Sequence, residues 1–295
     1  MNKNSCIFFL TVFLAACAFD PTNVVSNKDL QQAINENDFS PEQDLIEDTG
    51  KQIIGSPDAL VSESPVLAED PAYAPAPRFS GWGRIDFNTA DLNRDLVESD
   101  ALAGKVVVRT TRKLTGNLVI YSNVAQLRSR GTNFVAFKPF SLARNFRTSL
   151  QKQSGKWVIQ EWTWAVSSSP SPRVEIVSCK ILPNASGDFE SVTVLSDDLD
   201  RMRNAANLPS LPANRTVRLE VVAKGTGTTP LVYVHHEGTR IGLYERGTSG
   251  VFTNQLRIGS SKAKKIHVDV LDAATINQPA QRGNYGGVIW SLVFR

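Results

Sequence analysis

From Arg78 to the C-terminus, apolar residues recur in short alternating runs rich in Val, Ile and aromatic side chains. The first series reads KVVVRTTRK (105–113), NLVIYSN (117–123), NFVAFKPF (133–140), KWVIQEWTWAV (156–166), RVEIVSCKIL (173–182) and FESVTVLS (189–196). A second series follows: TVRLEVVAK (216–224), PLVYVHH (230–236), TRIGLYER (239–246), KKIHVDVLD (264–272) and GVIWSLVF (287–294). Period-two alternation bounded by turn residues is the pattern of half-buried strands. Many such strands at close spacing predict an all-β fold, a β-sandwich, with two tandem units over 79–196 and 214–295 as one form of it. Between them, DDLDRMRNAANLP (197–209) carries acids in its first turn, an apolar face of Leu199, Met202 and Ala206, and a closing proline. That pattern predicts a short helix within a linker of 197–213. A skeleton of TG, then LV, then L-x-x-R-G-T recurs in both series with uneven gaps, so chance and duplication both stay open.

Residues 18–78 follow no such pattern. They are rich in Asp, Glu, Asn, Gln, Ser and Pro, and aromatics are scarce before Tyr73. A segment of this kind cannot bury enough apolar area to offset chain entropy, so a disordered tether is predicted over 17–78. Two stretches could form transient helices. In the first, Ser26 with Asp29 resembles a capping box ahead of Leu30 and Ile34; the second is 41–55. Neither is expected to persist alone at such length. Fully flexible, sixty residues would span roughly 45 Å on average.

The chain opens differently again. Lys3 precedes a nine-residue apolar run, Cys6–Leu14 (CIFFLTVFL), which is too short to cross a bilayer and fits a signal peptide over residues 1–16. The segment Leu14-Ala15-Ala16-Cys17 resembles the lipobox of bacterial lipoproteins. The resemblance implies cleavage before Cys17, acylation of the Cys17 thiol, and a membrane anchor of more than one acyl chain, as stable anchoring requires. With Ala18 rather than Asp in the second mature position, it implies the outer membrane, with the body in the periplasm. No family resemblance is apparent for residues 78–295.

Charge sharpens the contrast. The chain has 295 residues and a formal net charge of +3. Residues 18–77 hold twelve acids against Lys28 and Lys51, so the excess positive charge lies in the body. From Ala101 to Gln160 there are eleven Lys and Arg and no Asp or Glu. Strand alternation puts Arg109 and Lys113 on one face and Arg128 and Arg130 on another, with Arg144 and Arg147 nearby. Such a patch predicts a salt-dependent site for an anionic envelope polymer or an acidic partner protein. A solvated face neutralised by acids distant in sequence would read identically. No nucleic acid is expected in that compartment.

Other candidates are weaker. Alternation in KWVIQEWTWAV puts Trp162 and Trp164 on one face; exposed, they would form a stacking platform for a glycan, with Glu161 bonding hydroxyls, and buried they would fill a core. His235 and His236 are adjacent and point to opposite faces, with His267 on a distant run, so no metal site is expected. The run DLNRD (91–95) has the spacing of a calcium loop without its turn glycine or closing glutamate. Nucleophile and phosphate-loop motifs are missing. GTGTT (225–229) reads as a hairpin turn, and Cys179 as a core residue beside Val177 and Ile181. Neither catalytic residues nor a cofactor are therefore assigned. Three functions follow in order: a lipid-anchored binding protein, a carbohydrate-binding module, and a hydrolase whose carboxylates (Glu161, Glu175, Asp269) converge only in three dimensions.

Overall fold

The computed structural model describes residues 28–36, 81–88, 92–100, 103–121, 136–184, 189–227, 230–247, 249–277 and 285–295. The leader, Cys17, most of the acidic segment, Arg128 and Arg130 lie outside the described residues. The strands are β1 (Gly81–Asn88), β2 (Leu92–Asp100), β3 (Lys105–Tyr121), β4 (Ala136–Gln153), β5 (Lys156–Trp162), β6 (Ala165–Ser168) and β7 (Val174–Pro183), then β8 (Val192–Leu195), β9 (Thr216–Gly225), β10 (Pro230–His236), β11 (Thr239–Glu245), β12 (Val251–Arg257), β13 (Lys264–Asp272) and β14 (Gly287–Phe294). Helices α1 (Lys28–Asn35) and α2 (Ala273–Asn277) are short. The fold is all-β, as the alternation predicts.

The strands follow one hydrogen-bonded path, β1-β3-β4-β6-β14-β13-β10-β11-β12-β9-β7-β8, with β2 beside β3 and β5 beside β4. The two strand series are interleaved along it. β14, last in sequence, pairs with β6 of the first series, and β7 of the first pairs with β9 of the second. The helix predicted over 197–209 does not form: a 3₁₀ turn at Ser196–Asp198 leads into irregular chain. The reason is tertiary. Arg203 exchanges backbone hydrogen bonds with Trp162 at 2.7 and 2.8 Å, which draws the segment out as a single β-bridge. The expected hairpin at 225–229 includes residues 228 and 229, outside the described residues, but the strands on either side do not pair as a hairpin: β9 pairs with β7 and β12, and β10 with β11 and β13.

Two layers enclose the main core. Val232, Val234, Ile266, Val268, Val270, Trp290 and Leu292 on one side meet Cys179, Ile181, Val217, Leu219 and Val221 on the other. The first layer is also strongly curled. Five strand steps separate β1 from β13, about 24 Å in a flat sheet, yet the Arg84 guanidinium reaches Asp269 at 2.6 Å. Trp82 of β1 likewise packs edge-on against Tyr233 of β10, and Arg240 of β11 donates to the Trp82 carbonyl at 2.7 Å. The face of the curl turned from the main core is thus an interior of its own. It holds the apolar clusters around Trp82, Leu118 and Leu271, around Phe140 and Leu142, and around Val106, Phe146 and Trp157.

That last cluster changes the reading of the tether. Leu30 and Ile34 of α1 are wholly buried in it, beside Leu150 and Trp157. Four residues apart, they share one helix face, and Arg94 of β2 donates to Asn35 Oδ1 at 2.7 Å. Residues 28–35 are therefore a docked part of the body rather than free tether. An eight-residue helix is marginal alone, and packing its apolar face supplies what propensity does not.

Tight turns set two of the registers. Ser154-Gly155 joins β4 to β5, and Glu237-Gly238 joins β10 to β11. All four residues have positive φ, from 47° to 84°, which is the two-residue turn whose twist matches antiparallel strands.

Candidate functional site

The β3–β4 ladder sorts the predicted cations by face. Arg109 lies directly opposite Arg147, with Lys113 four residues along β3 on the same side. Arg109 and Lys113 are exposed and Arg147 is half-buried. Arg144 departs from the expectation. It is paired in register with Arg112 and is 1% exposed, turned to the opposite, inner face, because its parity along β4 differs from that of Arg147. The outer stripe also has acids at its flanks, contributed by sequence-distant chain. Asp95 of β2 stands opposite Arg109, and Arg147 lies 3.8 Å from Asp200 while donating to its carbonyl at 2.6 Å. The run DLNRD is not a calcium loop: Leu92 onward is strand, and the Asp95 carboxylate accepts from Asn93 Nδ2.

Trp162 and Trp164 belong to the main core at 4% and 3% exposure, so neither ring is presented as a stacking platform. The strand carries a bulge: Ser149 pairs with Glu161 and Leu150 with Ile159, leaving Gln160 as the extra residue. Trp157 packs inside the curl while Trp162 and Trp164 enter the main core, the split of faces that alternation gives. The Trp164 indole donates to the Val293 carbonyl at 3.1 Å, and its face is covered by the Arg203 guanidinium, 3.7 Å from the ring centroid. A similar bulge at Val177 puts Ile176, rather than Val177, on the buried side with Cys179. Cys179 is a core residue as expected, and burial pushes its thiol up to about 12.

Beside Trp164, between it and the chain from β8 to Pro209, lies a cavity of about 230 Å³. Arg201, Arg203, Asp198, Thr193 and Asn207 line it with Trp164. Arg203 is fixed from three sides: its backbone by Trp162, its fork by the Trp164 ring, and its Nη1 by the Arg201 carbonyl at 2.6 Å. Asp198 Oδ1 approaches Nη2 only to 3.9 Å, while Asp198 Oδ2 accepts from the Leu195 amide at 2.9 Å. Burial lowers the Arg203 pKa; Asp198 opposes this and Arg201 adds to it.

The curl encloses a second polar group. Arg84 and Asp269, both fully buried, form a two-pronged pair at 2.6 and 2.9 Å. The Tyr285 hydroxyl accepts from Arg84 Nε and Nη2, and His235 Nε2 lies 3.1 Å from Asp269 Oδ2. Burial alone would raise the Asp269 pKa, but Arg84 and the His235 hydrogen bond hold it far below the usual carboxylate range. Burial lowers His235 and pushes Tyr285 up to about 12. His267, distant in sequence, stands in register opposite His235, with its Nδ1 3.0 Å from Ser291 Oγ. His236 points the other way. It accepts the Gly259 amide at Nε2, which leaves its proton on Nδ1 for the Lys265 carbonyl. Asp269 is thus wholly enclosed, with Arg84 and His235 on its two oxygens. Glu161 is half-buried on β5 and Glu175 exposed on β7. Among the described residues no group of three His, Cys, Asp or Glu side chains is placed to hold a metal ion, and no helix is long and apolar enough to cross a membrane.

No protein-family model matches the chain, and neither a curated protein nor a solved structure does. Alternation found the strands carrying Arg109, Lys113, Trp162 and Asp269. It missed Arg84 and Tyr285, whose partners are far away in sequence, and Arg203, which is placed by its bridge to Trp162 and by the Trp164 ring. A lone arginine in an apolar stretch such as GWGRIDF (81–87) is the one local signal for Arg84.

Proposed function

We propose that the chain is a lipid-anchored protein of the bacterial cell envelope whose β body binds an anionic envelope polymer through the outer face of β3 and β4. The anchor is Cys17, on the lipobox resemblance of residues 14–17. The observation that carries the binding role is the stripe of exposed Lys113 and Arg109 with half-buried Arg147, the two arginines directly opposite each other. Like charges across a ladder repel, and a polyanion laid over the stripe relieves that repulsion. Asp95 and Asp200 at the flanks reduce the net field and set its width. The reading is non-enzymatic and places the protein at the outer membrane with its body in the periplasm. The glycan platform finds no support in Trp162 and Trp164, whose rings are in the core.

Two measurements test it. Radiolabelled palmitate should enter the full-length chain, and Cys17→Ser should abolish both the label and membrane retention. Binding of purified lipopolysaccharide by the full-length chain in detergent should weaken at least tenfold in Arg109→Gln/Lys113→Gln/Arg147→Gln and fall steeply with salt. Binding that survives high salt, or is unchanged in the triple variant, overturns the stripe.

A further inference from the structure

The cationic stripe does not end at Arg147. The Arg147 guanidinium donates to the carbonyl of Asp200, and the next residue, Arg201, lines the cavity over Trp164. Stripe and cavity are therefore contiguous. We infer that this cavity is an end-group subsite that takes the carboxylate of a sugar acid, the terminal unit of the acidic polymer lying along β3 and β4; the inference rests on the polyanion reading above.

Three features select that chemistry. The first is a preset guanidinium fork. Arg203 has an 8% exposed side chain, its backbone and one nitrogen fixed, and no carboxylate within hydrogen-bond distance of Nη2, the nearest being Asp198 Oδ1 at 3.9 Å. A fixed fork matches the two oxygens of a carboxylate and loses little entropy on binding. The second is charge. Arg201 and Arg203 against Asp198 leave the lining with one net positive charge, which a single negative charge balances and a phosphate dianion exceeds. The third is size and polarity. About 230 Å³ falls below the usual range for drug-sized ligands and suits one small ring, and the polar residues Thr193 and Asn207 belong to the lining. The Trp164 face is already covered by Arg203, so the ring is recognised by hydrogen bonds and charge and not by stacking.

The probes are glucuronate and an oligogalacturonate, with glucose and inorganic phosphate as comparators, titrated against the full-length chain in detergent. Glucuronate is expected to bind, and glucose and phosphate at least tenfold more weakly. Arg203→Gln and, on the exposed rim, Arg201→Gln should each weaken glucuronate at least tenfold. Arg201→Gln guards against a folding defect, since Arg203 packs on the core. Arg109→Gln/Lys113→Gln should leave glucuronate unchanged while weakening the oligomer and flattening its salt dependence. Binding of the oligomer that depends on Arg109 and Lys113 but is indifferent to Arg203 and Arg201 would overturn the subsite and leave the stripe standing. Glucuronate binding lost only in the cavity variants, with an oligomer indifferent to Arg109 and Lys113, would sink the stripe and keep the cavity. Phosphate equal to glucuronate, or glucuronate that does not bind, refutes the carboxylate assignment.

Discussion

The curl removes Asp269 and His235 from water: burial lowers the His235 pKa, while Arg84 and His235 overcome the effect of burial on Asp269 and lower it too. The unfolded chain takes up a proton on His235 near the ordinary value of about 6.5. The folded chain resists, since burial and the nearby Arg240 and Arg84 guanidiniums outweigh the help of Asp269. A folded pKa below the unfolded one means stability that is full above about pH 6.5 and declines as the pH falls below it. Asp269 has the same sign in a lower window: its contribution is present above the unfolded value of about 3.9 and is lost only as pH falls through its depressed folded value. Between pH 7 and pH 5 the imidazole is thus the group that responds. Urea midpoints measured across that range should fall in the wild type, and His235→Gln should show a shallower slope. Equal slopes would mean that His235 does not couple to folding.

At the level of elements, α1 shows how little local propensity decides. Its eight residues hold two apolar side chains in the right spacing, and both are fully buried against β3, β4 and β5. Truncating either to alanine removes about 2–5 kcal/mol of packing, more than so short a helix has to spare. Leu30→Ala or Ile34→Ala should therefore release the segment, seen as faster amide exchange at 28–35, while exchange in β13 and β14 keeps its wild-type rate. The strands that alternation overlooked make a related point. β2, most of β4 beyond residue 140, and β12 are rich in polar residues. In β4 and β12 the apolar residues Leu142, Phe146, Leu150, Phe252 and Leu256 are all buried, but they are spaced too widely for a period of two to stand out, and neighbouring strands complete the ladders.

For the whole molecule, the last strand in sequence is an early necessity in space. β14 is buried along its full length and lies between β6 and β13. A chain ended at Gly286 loses the strand that joins the two series, and it should show no cooperative unfolding transition by circular dichroism in urea. Docking of α1 also resets the scale of the anchor. If Cys17 carries lipid, only residues 18–27 separate it from Lys28, a reach of about 35 Å when fully stretched, against the longer span that a wholly free tether would give. The body, with its stripe and cavity, then works close to the bilayer.

The sequence by itself determined the all-β class, most strand positions, the burial of Cys179 and the concentration of positive charge in residues 101–160. Each is a property of neighbouring residues along one strand, where a period of two is visible in the chain. Only the tertiary structure decided that Arg144 turns inward while Arg109 and Arg147 face out together, that Trp162 and Trp164 fill a core, that 197–209 is not helical, and that Arg84 meets Asp269. These depend on which face of a ladder meets the core, on a bridge between Trp162 and Arg203, and on a curl that joins residues 185 positions apart. One extra residue in a ladder reverses every face beyond it, and a contact across a closed sheet leaves no periodic trace in either partner.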